Sequence, residues 1–287
     1  MKKFLTLLAA AILPLAVFAQ AQIDTKKVKI SDFPQKITKI VLTGNSLYDA
    51  ILKDEVASRW RVSPYEFCTL NEFNEFKNKE DYYFLLTTKG QFKKEDEPGL
   101  MFLTLVKGGP KAADGIDEML EIVSMPIGSA EDPSGRELVF LPAFLTILQQ
   151  HTLDSIDHDV NGYVGLSNYT KFLPATRDMN IIIADCDLGK EVTQEAKDLY
   201  FVNGLELKDE DTADNLLTGT APATLVSYVA APTEAKNGSW CYKMLIDTQT
   251  YKLYFYRKHR IGPKYSAGFA DYDLRSIAMT RKEKKKK

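Results

Sequence analysis

The sequence predicts a globular protein of the α/β or α+β class, in which helices cover a mixed sheet. Residues 37–69 contain an apolar strand, a helix with an apolar face and a second strand, in the order of a β-α-β unit. Two β-rich runs follow between residues 82 and 106 and predict an antiparallel meander. Near residue 250, two segments of alternating side chains flank a short turn and predict a C-terminal hairpin.

The β-α-β unit is delimited by residues that favour turns and helix ends. The chain turns after the strand at 39–43, and Asn45 or Ser46 is positioned to cap the helix that follows. Ser63-Pro64 breaks that helix. The remaining strands of this half are predicted at 65–69, 82–88, 100–106 and 119–127, although a helix over 117–122 fits the period equally well.

The second half begins with the longest predicted helix, over residues 136–156, where Pro142 suits the first turn and apolar residues share one face. An unbroken apolar run at 180–184 is typical of a strand buried on both faces. We find no internal repeat, and we expect one domain over 22–280 with a possible sub-boundary near 130–136. The other predicted elements are strands at 199–202, 224–230, 240–247 and 251–256 and helices at 211–217 and 270–278.

The first 21 residues have the three parts of a secretory signal peptide. Lys2 and Lys3 supply positive charge, an apolar run extends over 4–18, and a small-x-small cleavage site ends at Ala21. The run is shorter than a bilayer requires and no second one follows, so we expect no transmembrane segment in the mature chain. No Cys stands at the cleavage site, which disfavours a lipoprotein anchor. We therefore predict an exported protein, periplasmic in preference to the cell surface.

The composition is that of an ordinary globular protein, with 45% apolar and 26% charged residues. The formal net charge of −2 becomes −4 when the two lysines of the signal peptide are removed, so no overall field attracts nucleic acid. The basic stretch at 281–287 is the exception, and we expect a disordered tail there. An anionic membrane surface or a nucleic acid is the alternative partner for this stretch.

Cys68, Cys186 and Cys241 all lie in apolar, strand-like stretches and are expected to be buried small residues. An oxidising compartment permits one disulfide, but each of the three possible pairings leaves one thiol free. Their spacing is unlike that of zinc ligands. The sequence therefore leaves the disulfide state open.

A segment after the longest helix resembles the opening of a calcium-binding loop. Asp157, Asp159 and Asn161 place oxygen atoms at the first, third and fifth positions, and Gly162 permits the sharp turn at the sixth. The twelfth position is Asn168 where an EF-hand has a bidentate Glu, so the expected Ca²⁺ affinity is low. The alternative is an Asp-rich turn after a helix. No other cofactor is expected.

Asp185 and Asp187 follow the buried strand at 180–184, and the carboxyl end of such a strand is a common place for chemistry in α/β sheets. A cap at the strand end explains them as well. The chain has no Gly-x-Ser-x-Gly elbow, Walker loop, dinucleotide fingerprint, HExxH or CxxC. A hydrolase is therefore the alternative function, with an unrecognised site that is metal-assisted around Asp157 and Asp159 or around Asp185 and Asp187.

Aromatic residues are concentrated in the C-terminal hairpin, and one of its faces must enter the core. The opposite face is expected to present Tyr254 and Tyr256 beside Lys252 and Lys258. Such a face would suit a protein partner or a glycan. A plain exposed sheet face is the alternative.

Two separated stretches are similar to segments of uncharacterised exported proteins of Gram-negative gut anaerobes. The first is Trp-Arg-Val-Ser-Pro-Tyr-Glu-Phe at 60–67, followed by Glu-Phe at 72–73, and the second covers 243–248, 253–256 and 258–259. That group has no assigned activity, so no site residue carries over. The early β-α-β unit and meander also resemble CsgG-like and TolB-N-terminal-like domains, which serve in secretion and envelope assembly. This chain lacks the lipoprotein Cys of CsgG.

The signal peptide, the missing catalytic motifs and the aromatic hairpin together predict an exported soluble protein without catalytic activity. Its expected function is that of a binding or envelope-assembly accessory protein. The expected partner is another envelope protein, and nucleic acid is not expected to bind. The sequence does not name the ligand.

Overall fold

The computed structural model describes residues 30–92, 95–157 and 165–281 of the 287-residue chain. The predicted class, a mixed α/β fold with helices on the sheet faces, is confirmed, but the strands form two five-stranded sheets where one was expected. The strands are β1 (Ile37–Val41), β2 (Tyr65–Cys68), β3 (Tyr82–Gly90), β4 (Leu100–Lys107), β5 (Leu120–Ser129), β6 (Asn180–Ala184), β7 (Leu205–Lys208), β8 (Thr224–Ala230), β9 (Trp240–Asp247) and β10 (Leu253–Arg260). The described α-helices are α1 (Ser46–Arg59), α2 (Leu70–Phe76), α3 (Arg136–Val139), α4 (Leu141–Asp157), α5 (Gln194–Tyr200), α6 (Glu210–Thr218) and α7 (Asp271–Thr280).

The first sheet has the strand order β2-β1-β3-β4-β5. β1 runs parallel to β2 and β3, whereas β3, β4 and β5 form the expected antiparallel meander. Helix α1 connects β1 to β2 and begins where the Asn45 side chain accepts hydrogen bonds from the backbone N–H groups of Leu47 and Tyr48. Leu52 and Val56 bury the apolar face of α1 in the core.

The second sheet repeats the topology of the first strand for strand. Its order is β7-β6-β8-β9-β10, in which β6 runs parallel to both neighbours and β8, β9 and β10 are antiparallel. In each sheet, one helix follows the first strand and another follows the second. The same strand pairing requires only apolar residues at corresponding positions, and these residues need not be identical. The repeated topology is therefore not visible as a repeat in the sequence.

The two sheets share one core. Phe102 of β4 and Tyr242 of β9 meet edge to face with ring centroids 5.9 Å apart. Each is the third residue of the fourth strand of its sheet, so equivalent positions of the two halves touch. The Tyr228 hydroxyl on β8 donates a 2.5 Å hydrogen bond to the backbone carbonyl of Ile127 on β5. The core that contains these residues also includes the buried face of α4.

Several elements differ from the sequence-based expectations, and the 3-10 helix Gly165–Thr176 was not predicted at all. The strand expected at 199–202 is wrong, because Thr193 caps α5 and the helix continues through this apolar stretch to Tyr200. The strand of this region is β7, six residues further along. The apolar pattern does not reveal α2, which begins at a capping box between Thr69 and Glu72. The helix expected over 136–156 is divided into α3 and α4.

The predicted signal peptide and residues 282–287 lie outside the described residues. The expectation of a disordered tail is wrong for Arg281, which is 9% exposed. Its guanidinium donates a 2.7 Å hydrogen bond to the carbonyl of Asn203 and further bonds to the carbonyls of Thr176 and Met179. Within the described ranges, no helix is long and apolar enough to cross a membrane.

The three cysteines are free thiols. Cys68 at the end of β2 and Cys241 in β9 are buried, as predicted. Cys186 is exposed, so the prediction of burial is wrong for this residue. The reason is local: Cys186 lies in the 3-10 turn Asp185–Asp187 that follows β6 and not in the strand itself.

Candidate functional site

A pocket of about 420 Å³ opens between α4, the 3-10 helix Gly165–Thr176 and the turn that joins β9 to β10. Its size is that of a small-molecule site. Aromatic rings form much of its wall, and among the described lining residues one carboxylate, that of Asp154, stands between them. The principal wall residues are Gln150, Asp154, Tyr169, Phe172, Tyr251 and Tyr254.

Helix α4 contributes a polar stripe, because Thr146, Gln150 and Asp154 recur every four residues and all line the pocket. Gln150 Nε2 donates a 2.8 Å hydrogen bond to Asp154 Oδ1. The Tyr169 hydroxyl donates one of 3.0 Å to Asp154 Oδ2. Burial and the nearby Asp154 charge raise the pKa of Tyr169 above its ordinary value, so its hydroxyl remains a donor at neutral pH. Both carboxylate oxygens of Asp154 are therefore oriented by side chains of the pocket.

The 3-10 helix Gly165–Thr176 forms the facing wall and is unusually long for this conformation. With three residues per turn, residues three apart stand above one another. Tyr169, Phe172 and Ala175 have this spacing, and all three line the pocket. Phe172 is 44% exposed, so its ring is accessible to a ligand.

The β9–β10 turn forms the third wall and is held by Asp247. Its Oδ1 accepts hydrogen bonds of 2.8 and 2.9 Å from the backbone N–H groups of Gln249 and Thr250. Tyr251 adopts a left-handed conformation with φ of 54°. The guanidinium of Arg59 lies 5.1 Å from the centre of the Tyr251 ring and ties the turn to α1.

A β-bulge in β10 directs Tyr254 to the pocket. The register shifts so that Leu253 pairs with Ile246, whereas Phe255 pairs with the adjacent Leu245. Tyr254 is the extra residue of the bulge, so its side chain does not follow the regular alternation between the two faces of the strand. Its side chain is half-buried on the pocket wall.

Tyr256 does not lie on the exposed face that the alternation predicts for it. It is 6% exposed, and its ring centroid is 6.0 Å from that of Tyr242 in the core. The expected face shared by Tyr254 and Tyr256 beside Lys252 and Lys258 is wrong, because the bulge separates the two tyrosines. Tyr254 remains a candidate binding residue because its side chain forms part of the pocket wall.

Thr170 fastens the 3-10 helix to the edge of the second sheet. Its hydroxyl donates a 2.9 Å hydrogen bond to the carbonyl of Tyr256 and accepts one of 3.0 Å from the Tyr256 N–H. These bonds satisfy backbone groups that an edge strand such as β10 otherwise exposes. Two walls of the pocket are therefore joined through this one side chain.

His151 lies behind the pocket wall, with its ring centroid 5.8 Å from that of Tyr169. The residue is 1% exposed, and its Nδ1 finds no hydrogen-bond partner among the described residues. Burial lowers the pKa of His151 to about 4, although the Asp154 charge opposes this effect. The imidazole is therefore a neutral, packed group at neutral pH.

The candidate calcium ligands are described only in part. Asp157 is the exposed last residue of α4, whereas Asp159 and Asn161 lie outside the described residues. Calcium binding by this segment stays a prediction. In the part of the chain that the structure describes, no group of three or more His, Cys, Asp or Glu side chains is arranged to hold a metal ion.

The two carboxylates after β6 have different environments. Asp185 is exposed and accepts a 2.8 Å hydrogen bond from the N–H of Cys186. Asp187 is 2% exposed, and its oxygens accept hydrogen bonds of 2.9 Å from Arg136 and 2.6 Å from Ser227. Although Cys186 as a residue is exposed, partial desolvation of its sulfur and the charge of Asp187 raise the pKa of this thiol, which disfavours a thiolate nucleophile.

Arg136 links this turn to a neighbouring helix. Its Nε lies 3.0 Å from both carboxylate oxygens of Asp214 on α6. Burial opposes its charge, but Asp187 and Asp214 outweigh burial and raise the pKa of Arg136. Asp187 is thus engaged in a network that holds α3, α6 and the end of β6 together. This arrangement does not favour the paired-carboxylate hydrolase site considered from the sequence.

A second buried ion pair anchors α7 on the outer face of the second sheet. Lys243 and Asp273 are both fully buried, with 2.5 Å between Nζ and Oδ2. Arg257 lies 2.9 Å from the other oxygen of Asp273, and the N–H of Ala270 donates to Oδ2 at the start of α7. Burial lowers the pKa of Lys243, with Asp273 acting in the opposite direction. These contacts account for Asp273 as a structural group.

Of the pocket residues, the sequence singles out Tyr254 and the nearby Lys252 for ligand binding, and it misses Asp154, Tyr169 and Phe172 in that role. Tyr169 and Phe172 are three residues apart, and this spacing places them on one side of a 3-10 helix. That spacing also occurs in an α-helix, so it does not identify the wall of a pocket. From the sequence, Asp154 stands out only by its closeness to His151, which does not identify a ligand pocket.

Comparison with known proteins leaves this geometry as the basis for assigning a function. No protein-family model, no curated protein and no solved structure matches the chain. The sequence resemblances to exported proteins of gut anaerobes and to CsgG-like and TolB-N-terminal-like domains therefore stay predictions.

Proposed function

We propose that the protein is an exported, periplasmic binding protein without catalytic activity, and that its ligand occupies the pocket between α4, the 3-10 helix and the β9–β10 turn. The observation that carries this proposal is the carboxylate of Asp154, held by Gln150 and Tyr169 within an aromatic wall. A few oriented polar groups in an otherwise apolar pocket are typical of ligand sites. Export is supported by the N-terminal sequence pattern.

The chemistry of the walls indicates an amphipathic ligand. The rings of Phe172 and Tyr254 offer flat surfaces to an apolar or aromatic group. Asp154 is an acceptor, and a carboxylate oxygen accepts more than one hydrogen bond. A ligand with an apolar face and a hydroxyl or ammonium donor would match both features.

Binding is favoured over catalysis by the groups that line the pocket. Asp154 and Lys252 are the charged residues of its described lining, and that lining includes no Cys or His. Nucleophilic catalysis requires a nucleophile beside a base that activates it. The described lining offers no such pair.

The test is ligand-observed NMR on the mature chain from residue 22, with benzylammonium, phenol and phenyl β-glucoside as probes. We expect at least one probe to bind the wild type. Its affinity should fall at least tenfold in Phe172→Ala and in Tyr254→Ala. Tyr65→Ala, a half-buried ring on β2, is the matched control and should bind as the wild type does. Failure of every probe, or equal loss in the control, would contradict the proposal.

The envelope-assembly form of this proposal has its own test. Crosslinking of tagged mature protein in native envelopes, followed by mass spectrometry, should recover one or two stoichiometric envelope proteins. Tyr254→Ala should reduce that capture, and Tyr65→Ala should not. If Tyr254→Ala captures the same envelope proteins in the same amounts as the wild type, the pocket does not bind the partner and this form of the proposal is overturned.

A further inference from the structure

The described lining of the ligand pocket combines aromatic rings with one carboxylate, that of Asp154. The rings are those of Tyr169, Phe172, Tyr251 and Tyr254. The face of an aromatic ring is electrostatically negative, and a carboxylate carries a full negative charge. Lys252, the cation of the same lining, is exposed to solvent. Most of the wall therefore attracts a positively charged group.

The rings of Tyr169 and Phe172 form a corner of the pocket. Their centroids are 6.2 Å apart and their planes are inclined at 54°. Inclined rings contact a compact, rounded group from two sides, whereas a flat group contacts one ring at a time. Asp154 adjoins this corner, because its Oδ2 accepts the 3.0 Å hydrogen bond from the Tyr169 hydroxyl.

Two of the four rings already attract cations of the chain itself. Lys171 Nζ lies 4.9 Å from the centre of the Phe172 ring, and the Arg59 guanidinium lies 5.1 Å from that of Tyr251. Both distances are within the range of about 6 Å over which a ring face attracts a cation. A ring has two faces, and Phe172 lines the pocket with 44% of its surface exposed.

The carboxylate of Asp154 offers a ligand its charge more than its hydrogen-bonding capacity. Gln150 already donates to Oδ1 at 2.8 Å, and Tyr169 donates to Oδ2. Both donors are neutral groups and do not cancel the negative charge. Burial lowers the pKa of the nearby His151 to about 4, so at neutral pH this imidazole adds no positive charge behind the wall.

We propose that the ligand of this pocket is a small molecule with a methylated ammonium group, which lies in the corner of Tyr169 and Phe172 beside Asp154. This inference rests on the proposed function and adds the chemical class of the ligand. Methyl groups give the cation an apolar surface that packs on rings, and aromatic cages recognise such groups in this way. An uncharged sugar would instead compete with Gln150 and Tyr169 for the lone pairs of Asp154.

The test compares choline with 3,3-dimethyl-1-butanol, in which a carbon atom replaces the nitrogen and the shape is kept. Ligand-observed NMR titration on the mature chain from residue 22 gives both affinities. We expect choline to bind roughly tenfold more tightly than the alcohol, or better. Glycerophosphocholine distinguishes the sources of the group: tighter binding than choline supports a lipid headgroup, and weaker binding supports a free ammonium compound.

Two variants separate the charge of the pocket from its shape. Asp154→Asn keeps the size of the side chain, so its affinity for choline should fall roughly tenfold while the alcohol binds as it does to the wild type. Lys252→Glu adds a negative charge without removing a ring and should bind choline roughly twofold more tightly, or better. Tyr65→Ala, a half-buried ring on β2, is the matched control and should leave both affinities unchanged.

The outcomes distinguish this inference from the proposed function. If phenol or phenyl β-glucoside binds and depends on Phe172, but choline binds no better than the alcohol, the ligand class is wrong and the proposed function stands. If those probes and choline all fail to bind, both are overturned. Equal loss of choline and the alcohol in Asp154→Asn, with no gain in Lys252→Glu, would also overturn the inference, because charge would then have no part in binding.

Discussion

Tyr169 and Asp154 connect two walls of the pocket through a 3.0 Å hydrogen bond from the phenol to the carboxylate. Tyr169 belongs to the 3-10 helix and Asp154 to α4, and Thr170 beside Tyr169 is bonded to the edge of β10. The acceptor is therefore oriented by side chains of the protein itself. Orientation before binding reduces the ordering that a ligand must cause, which is a general source of affinity.

Removal of this hydrogen bond should weaken binding without removing the aromatic wall. Tyr169→Phe keeps the ring and deletes the donor to Asp154. A hydrogen bond to a charged group contributes about 1.5–3 kcal/mol, so we expect binding of the probe to weaken by about tenfold to a hundredfold. Titration calorimetry measures this change, with Tyr65→Phe as the control. Unchanged affinity in Tyr169→Phe would mean that Asp154 needs no orientation by Tyr169.

The buried network around Arg136 should be important for stability. Arg136→Met leaves Asp187 in the interior without its cation, and loss of one partner of a buried pair costs about 3–5 kcal/mol. Urea denaturation measures the free energy of unfolding. Lys36→Met is the control, because the Lys36–Asp81 pair is exposed and should contribute nothing measurable. A similar small effect in both variants would refute the structural role of Arg136.

His151 should make the fold sensitive to acid. Its pKa falls from 6.5 to about 4 on folding, so below pH 6.5 the unfolded chain takes up a proton that the folded chain does not. Neutral His151 therefore has its full effect on the free energy of unfolding above pH 6.5. Roughly 3 kcal/mol of that free energy is lost as the pH falls to 4. His151→Phe removes this group, and its unfolding free energy should fall less steeply between pH 7 and 4. The same slope in both proteins would contradict the assignment.

The two tyrosines of the bulged strand should respond differently to truncation. Tyr256 is buried in the shared core, so Tyr256→Ala should lower the free energy of unfolding by roughly 3–5 kcal/mol. Tyr254 is half-buried on the pocket wall, and Tyr254→Ala should cost about 1 kcal/mol or less. Chemical denaturation of both variants decides the point. Equal losses would mean that Tyr254 belongs to the core.

The sequence predicted most of the secondary structure because alternation and caps are local signals. The strands at 180–184 and 224–230 and the cap of α1 at Asn45 agree with the structure for this reason. The repeat of one topology in two sheets depends on pairing between distant strands, which no local period records. The strand predicted at 199–202 was wrong because a short apolar run can be buried equally well in a strand or at the end of a helix such as α5.

The pocket was less predictable than the fold. Its walls come from three elements that are far apart in the chain, and its position depends on the bulge at Tyr254. A one-residue shift reverses the direction of side chains in a strand, so the alternation placed Tyr254 and Tyr256 on one face incorrectly. The hydrogen bond between Asp154 and Tyr169 likewise depends on tertiary structure.

The central claim is that the pocket beside Asp154 holds the ligand, and crystals soaked with the three probe compounds test it most directly. We predict electron density for at least one probe with its ring against Phe172 or Tyr254 and its donor within hydrogen-bond distance of Asp154. Density for these probes only at other places on the molecule, with the pocket open in the lattice, would contradict the claim.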